Sequence, residues 1–300
     1  MDATAPGTRP FFKYASPDAA RAILSTQRVR YSSPLTFNDP FDVQSGLHFD
    51  FDIDALPGKI IKALSEVAES VEAPLIDPSD VWGQLVLKLR QMYPTHGFPM
   101  ERWARDTTDL FGWLAGKIKE TQQGYQRHWR EKLLPGVRVF CVSEERDNLL
   151  MWAHYARDHK GAVFEFWSLP EEDNPLSVAR PIQYGAKPPP FFSEQDFLDD
   201  ILSVRKLDFS SLYRRYVYCK SDHWLYEKEW RVWYPLADSA GLYDTMPVRA
   251  SEFRALYLGC QMRAEDKDAT LALVRNHFPS TRTFEASKSA GAYELVYTEV

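Results

Sequence analysis

The sequence predicts an α+β fold: a central mixed or antiparallel sheet with flanking helices and a helical insertion. Three observations predict it. Short β-branched and aromatic runs stand near the start of the chain and again from Val137 onward. Between them, residues 54–134 carry apolar stripes at helical spacing. No internal repeat and no low-complexity linker separates these regions, so residues 11–300 read as a single domain behind a tail over residues 1–10.

In chain order, Phe11-Phe12-Lys13-Tyr14 is the first strand. Ser16, Pro17 and Asp18 then supply an N-cap, a proline at the first helical position and an early acid. The helix they open carries Ala20, Ile23 and Leu24 on one face and ends near Thr26. A second strand follows at Arg28–Ser32 and stops before Pro34. Three helical stripes make up the insertion. One runs from Ile60 through Ile61, Leu64, Val67 and Ala68 to Val71. The next joins Val81, Trp82, Leu85, Leu89 and Met92, and the last runs from Trp103 through Leu114 and Ile118 to Trp129. Strands return at Val137–Val142, Gly161–Trp167, Pro181–Tyr184, Glu229–Tyr234, Ala255–Gly259, Thr281–Glu285 and Tyr293–Tyr297. Helices are expected at Asn148–Ala156, Glu194–Val204, Ser210–Lys220 and Glu265–Phe278.

Composition bounds the function. The 300 residues can bury a core without disulfide or metal staples. A net charge of −6 and the lack of a long basic run argue against wholesale nucleic-acid binding, leaving room only for a local basic groove. Cys141, Cys219 and Cys260 are odd in number and far apart, which reads as reduced core residues in a reducing compartment. No signal-type or membrane-length apolar stretch occurs, so a cytoplasmic protein with no membrane partner is expected.

Three motifs can carry chemistry. In Thr36-Phe37-Asn38-Asp39-Pro40-Phe41-Asp42, Asn and Asp before proline favour a tight turn. It is either structural or a cleft wall in which Asn38 or Asp39 holds a polar ligand. After the strand ending at Val142, Asn148 can cap a short helix bearing Met151, Trp152, His154 and Tyr155, where sheets of this kind often place ligands. His154 is either a hydrogen-bonded structural group or a catalyst, and its spacing to His159 does not suit a metal.

The third motif is Glu227-Lys228-Glu229-Trp230-Arg231. On a strand, Trp230, Val232 and Tyr234 face the core, and Glu227, Glu229 and Arg231 form a row at roughly 7 Å spacing. Such a row is either a solvated set of ion pairs or a site in which close carboxylates shift each other's pKa. Glycine-rich phosphate loops, GxSxG, HExxH and kinase signatures are missing.

The chain resembles a widespread bacterial domain-of-unknown-function family, number 2971. The resemblance rests on Lys13-Tyr14, the segment from Arg30 to Asp42 ending in FNDPFD, and Phe140-Cys141-Val142-Ser143. It continues through MWAHYARDHKGAVFEF at Met151–Phe166, WLYEKEWR at Trp224–Arg231, and Leu258-Gly259-Cys260. It implies a bacterial cytosolic protein and brings no established activity. The middle block also looks like abortive phage-resistance proteins. A more distant analogy is with ADP-ribosyltransferases, whose order of a basic first-strand position, a second-strand Ser or Tyr and a late ExE is matched by Lys13, Tyr31-Ser32 and Glu227-Lys228-Glu229. Lys13 departs from the Arg or His of that pattern.

Three expectations follow. An ADP-ribosyltransferase-like enzyme in phage defence or toxicity would use NAD as substrate. Its catalytic groups would be Glu229, Glu227, Arg231 and His154, with Tyr14, Tyr31, Ser32, Asn38, Asp39, Trp152 and Tyr155 binding substrate. A non-catalytic sensor would bind a small molecule, nucleotide or peptide in the aromatic-rich cleft. A metal-dependent nuclease would recruit Asp39, Asp42, Glu227 and Glu229. The EKE row becomes a site only if the FNDPFD turn or the His154 helix closes over it.

Overall fold

The computed structural model describes residues 7–52, 54–69, 79, 81–92, 108–201, 205, 207–235 and 241–300. The chain is α+β and forms two compact units. The first takes the residues up to Ser45, Leu133–Lys187 and those from Tyr218 onward; the second takes Gly46–Lys132 and Pro188–Val217.

In the first unit, β1 (Arg9–Ala15) leads into α1 (Pro17–Thr26). Ser16 caps this helix by accepting from the Ala19 amide, Pro17 takes the first turn, and Gln27 ends it in the left-handed region. Arg9 and Pro10, expected in the tail, already belong to β1. After β2 (Arg28–Ser32) and the excursion into the second unit come β3 (Val137–Ser143) and β4 (Ala162–Ser168). Short pieces β5 (Arg180–Pro181), β6 (Gln183–Gly185) and β7 (Cys219–Ser221) precede β8 (Glu229–Pro235). The C-terminal strands are β9 (Tyr243–Pro247), β10 (Phe253–Leu258), β11 (Arg282–Lys288) and β12 (Leu295–Glu299).

The main sheet runs β12-β11-β10-β4-β1-β3-β2-β9, with β8 on β3 and β5 on β8. It is mixed: β10 and β11 are parallel, and the other pairs are antiparallel. Strand alternation sorts the side chains into two layers. One face carries Phe11, Val29, Tyr31, Phe140, Val142, Phe164, Val232 and Leu256, a single apolar core. The helices α1 and Ala264–His277 pack together, with Arg21 on Asp266 at 2.7 Å. The other face carries a smaller cluster built on Tyr14, Trp152, Val163 and Tyr257.

In the second unit, Ile60, Ile61, Leu114, Ile118 and Trp129 are buried as their stripes predict. Helices Glu194–Ile201 and Phe209–Val217 add Phe197 and Tyr213, and Trp129 stacks on Tyr213 at 5.4 Å. Val71 and Trp103 lie outside the described residues, as do the side chains of Leu64, Val67, Ala68, Val81, Trp82, Leu85, Leu89 and Met92.

Two local expectations are corrected. The helix expected to run to Lys220 stops at Val217, and Cys219-Lys220-Ser221 forms a strand parallel to β6. The three cysteines are free but only half-buried, so they are not full core residues. No described helix is long and apolar enough to cross a membrane.

Candidate functional site

The EKEWR segment is not a regular strand row. Glu227 ends a 3-10 turn over Asp222–Glu227, Lys228 sits in the left-handed region at φ 41°, and the strand begins only at Glu229. That kink turns both glutamates inward while Lys228 stays outside, paired with Glu145. Backbone contacts fix the kink: Ser143 Oγ donates to the Glu227 carbonyl at 2.7 Å, and the Glu229 amide donates to the Tyr184 phenol at 2.8 Å. Register then places Glu229 opposite Ser143 and Arg231 opposite Cys141.

The expected alternative of a solvated ion-pair row is overturned by burial. Glu227 is 2% exposed, Glu229 6% and Arg231 fully buried. They belong to a five-residue network. The Arg231 guanidinium grips Asp42 through two nitrogens, at 2.6 and 3.1 Å, and Glu229 at 2.7 Å. The Lys220 ammonium meets Glu227 at 2.5 Å, Glu229 at 3.0 Å and Asp42 at 3.6 Å. Aromatic rings close it: Phe37 lies 5.1 Å from the guanidinium and Trp224 lies 4.9 Å from the ammonium.

Three carboxylates meet two cations, and the charge states divide accordingly. Burial works against the charged form of each acid. At Glu229 the attraction of Arg231, then of Lys220, outweighs burial and holds the carboxyl well below its usual range. At Asp42 and Glu227 burial wins over Arg231 and Lys220 respectively, and both pKa values rise. Burial opposes the charge on Lys220 too, but Glu229, Asp42 and Glu227 outweigh it and the ammonium is held on. A third cation stands nearby on β1: Lys13 donates to the Cys141 carbonyl at 2.9 Å, and burial lowers its pKa. Burial, then Glu229, pushes the Cys141 thiol up, so it is no reactive thiolate.

The FNDPFD turn closes over the network. Asp39 accepts from its own turn at the Phe41 amide, 2.9 Å, and from the Trp224 indole at 2.7 Å. Asp42 reaches inward to Arg231, while Phe41 is left 77% exposed. The short helix Leu149–His154 supplies the other wall. Asn148 caps it through the Leu150 and Met151 amides and ties it to the Tyr226 carbonyl at 2.8 Å. Tyr155, just past its end, donates to Glu227 at 2.5 Å, and the exposed Asn38 side chain also hydrogen-bonds that phenol.

Of the residues expected to form a site, the structure thus brings together Glu227, Glu229, Arg231, Asn38, Asp39 and Tyr155. The remainder are placed elsewhere. Tyr31 is in the apolar core on the opposite sheet face, stacked on Phe140. Tyr14 and Trp152 are buried together beneath the short helix; Tyr14 donates to the Glu145 carbonyl and Trp152 to that of Arg146. Ser32 is half-buried on β2 and makes no hydrogen bond to the network. His154 is exposed, its ring 6.4 Å from those of Tyr155 and Tyr226, and among the described residues it makes no hydrogen bond or ion pair with either carboxylate. Lys220 and Tyr184 are the residues that sequence reading missed. Lys220 had been placed at a helix end, and nothing local distinguishes it from a solvated lysine.

Residues 151–232 match the model of a family described as "Protein of unknown function (DUF2971)". No curated protein and no solved structure matches the chain. Residues 151–232, the segment that supplies four of the five network residues, are thus similar to the DUF2971 family.

Proposed function

We propose that the first unit is a non-catalytic binding module for a small polar or nucleotide ligand, of the sensor type, rather than an ADP-ribosyl-transferring enzyme. One observation carries the reading: Glu227 and Glu229 are buried and already engaged by Lys220, Arg231 and Tyr155. A carboxylate that steadies an oxocarbenium-like ribose must reach the sugar, and freeing Glu229 would leave Arg231 and Lys220 short of a partner in a buried site. What stands beside the network is the exposed Asn38 side chain and the exposed His154 ring, next to the half-buried rings of Tyr155, Trp224 and Tyr226. Rings and a hydrogen-bonding edge suit the stacking of a planar base.

The test is titration of the full-length protein with NAD, AMP and ATP, alongside an assay of NAD consumption. Saturable binding of a nucleotide, weakened about tenfold or more by Tyr226→Ala in line with one stacked base, is expected, with NAD left intact. NAD consumption that disappears in a normally folded Glu229→Gln variant overturns the proposal. The transferase-like reading is the second one, favoured by Lys13 of β1 lying against Cys141, which stands opposite Arg231 across β3 and β8; in that reading NAD is the substrate. A nuclease has the least support: among the described residues no group of three His, Cys, Asp or Glu side chains is placed to hold a metal ion. A role in phage defence rests on resemblance alone.

A further inference from the structure

The second half of the MWAHYARDHKG block takes no part in the charged network, yet the fold holds it under unusual constraint. Arg157, Asp158 and His159 all have φ between 49° and 62°, three successive non-glycine residues in the left-handed region. Main-chain bonds hold this turn: Asp158 N–H to the Ala153 carbonyl, His159 N–H to that of Trp152, and Gln261 N–H to that of His159, each between 3.0 and 3.1 Å. Two glycines let the backbones meet. A Cβ on Gly161 would fall 2.0 Å from the Ala15 oxygen, and one on Gly259 would fall 2.1 Å from the His159 oxygen.

The turn lays the His159 ring flat against the buried Trp152, 6.0 Å between centroids and 8° from parallel. Its Nδ1 is buried and makes no hydrogen bond. Burial, helped by Lys288, lowers its pKa, so the ring is neutral near pH 7. With no acceptor at Nδ1, the ring proton belongs on Nε2, which makes Nε2 a donor.

His159 lines a cavity of about 610 Å³ together with Leu149, Cys260, Lys288, Gly291 and Leu295. The size falls within the range of small-molecule sites. Its walls are apolar at Leu149 and Leu295. Lys288, exposed and in no ion pair among the described residues, brings a cation, and Glu294 brings the acid of the lining. The loop Ala290-Gly291-Ala292 over the cavity uses small residues whose amides make no hydrogen bond among the described residues. Free amides beside an ammonium and a neutral histidine donor form a receptor for negative charge.

We infer that this cavity is a second ligand site, which takes a small organic anion: an apolar body against Leu149 and Leu295, and a carboxylate, sulfonate or phosphate at Lys288, His159 and the 290–292 amides. The site is independent of the aromatic surface at Trp224 and Tyr226. The probe is 8-anilinonaphthalene-1-sulfonate, whose fluorescence rises in apolar surroundings, added to the intact folded protein. Saturable binding at one site is expected, together with slower alkylation of Cys260 read by peptide mass spectrometry. Competition with benzoate, with AMP and with inorganic phosphate separates the anion classes; displacement by benzoate or AMP but not by phosphate shows that the apolar body is needed. Lys288→Gln should weaken the probe at least tenfold. Gly291→Phe has room for a side chain and should block both binding and Cys260 alkylation. Probe binding that Lys288→Gln and Gly291→Phe leave unchanged, in variants that melt like the parent, overturns the inference. So does an absence of binding with Cys260 alkylation unaffected by the probe or by Gly291→Phe.

Discussion

The two faces of β8 solve burial in opposite ways. Val232 enters the apolar core, with Trp230 and Tyr234 packed against it, and needs nothing from distant loops except shape. Glu229 and Arg231, which flank Trp230, are as buried as Val232 but depend on Asp42 from the FNDPFD turn and Lys220 from β7. The apolar face tolerates loss of one member at the cost of a cavity, whereas the charged face turns each loss into an unpaired buried ion. The charged face therefore specifies how the turn, β7 and β8 close together, and the apolar face supplies most of the driving force.

Removing one network cation should produce the largest effect. Arg231→Met leaves Asp42 and Glu229 without their guanidinium and should cost about 4 kcal/mol, read as a shift in the urea midpoint. On the apolar face, Leu256→Ala should cost about 3 kcal/mol, the usual penalty of a buried leucine truncation. If Leu256→Ala proves much the more damaging of the two, the contrast between the faces fails. Asn148→Ala removes the cap of the helix leading to Tyr155 and should cost about 1 kcal/mol. Exposed Lys228, by contrast, should be replaceable by alanine without measurable loss, although it stands between the two glutamates.

Stability against pH sharpens the same comparison. Glu229 titrates below its usual range in the folded state, so its contribution is present above the ordinary glutamate value and is lost as pH falls through the folded value. Glu227 and Asp42 titrate above theirs, so between the ordinary and the raised value the native state holds more protons than the unfolded chain. Their part of the stability therefore decreases as pH rises from about 4.5 upward. Glu227→Gln should flatten that decrease, measured as the urea midpoint across a pH series. A variant whose profile matches the parent would show that Glu227 is not the strained acid.

Much of this was legible from residues alone, and the failures have physical causes. Ser16-Pro17 and Asn148 announce their helices because capping is local chemistry. The assignment of Trp230, Val232 and Tyr234 to one face followed from strand period. Glu227 broke that period because Lys228 takes a left-handed conformation, which nothing in EKEWR signals. Lys220 was hidden because a helix-like run, SSLYRRYVY, leads straight into it, and only pairing with β6 pulls it into a strand. Tyr31 and Trp152 were read as ligand-facing because aromatic residues serve cores and clefts alike. Burial alone separates those uses. The convergence of Asp39 and Asp42 with Glu229 joins positions nearly two hundred residues apart, which strand and turn rules do not reach.

Arg231 and Asp42 form the buried pair that ties the FNDPFD turn to β8. A double-mutant cycle of Asp42→Asn and Arg231→Gln by urea unfolding measures that directly. A coupling of roughly 2 kcal/mol or more is predicted for charges removed together from water. A coupling of about 0.5 kcal/mol or less, the value of a solvated surface pair, would contradict it.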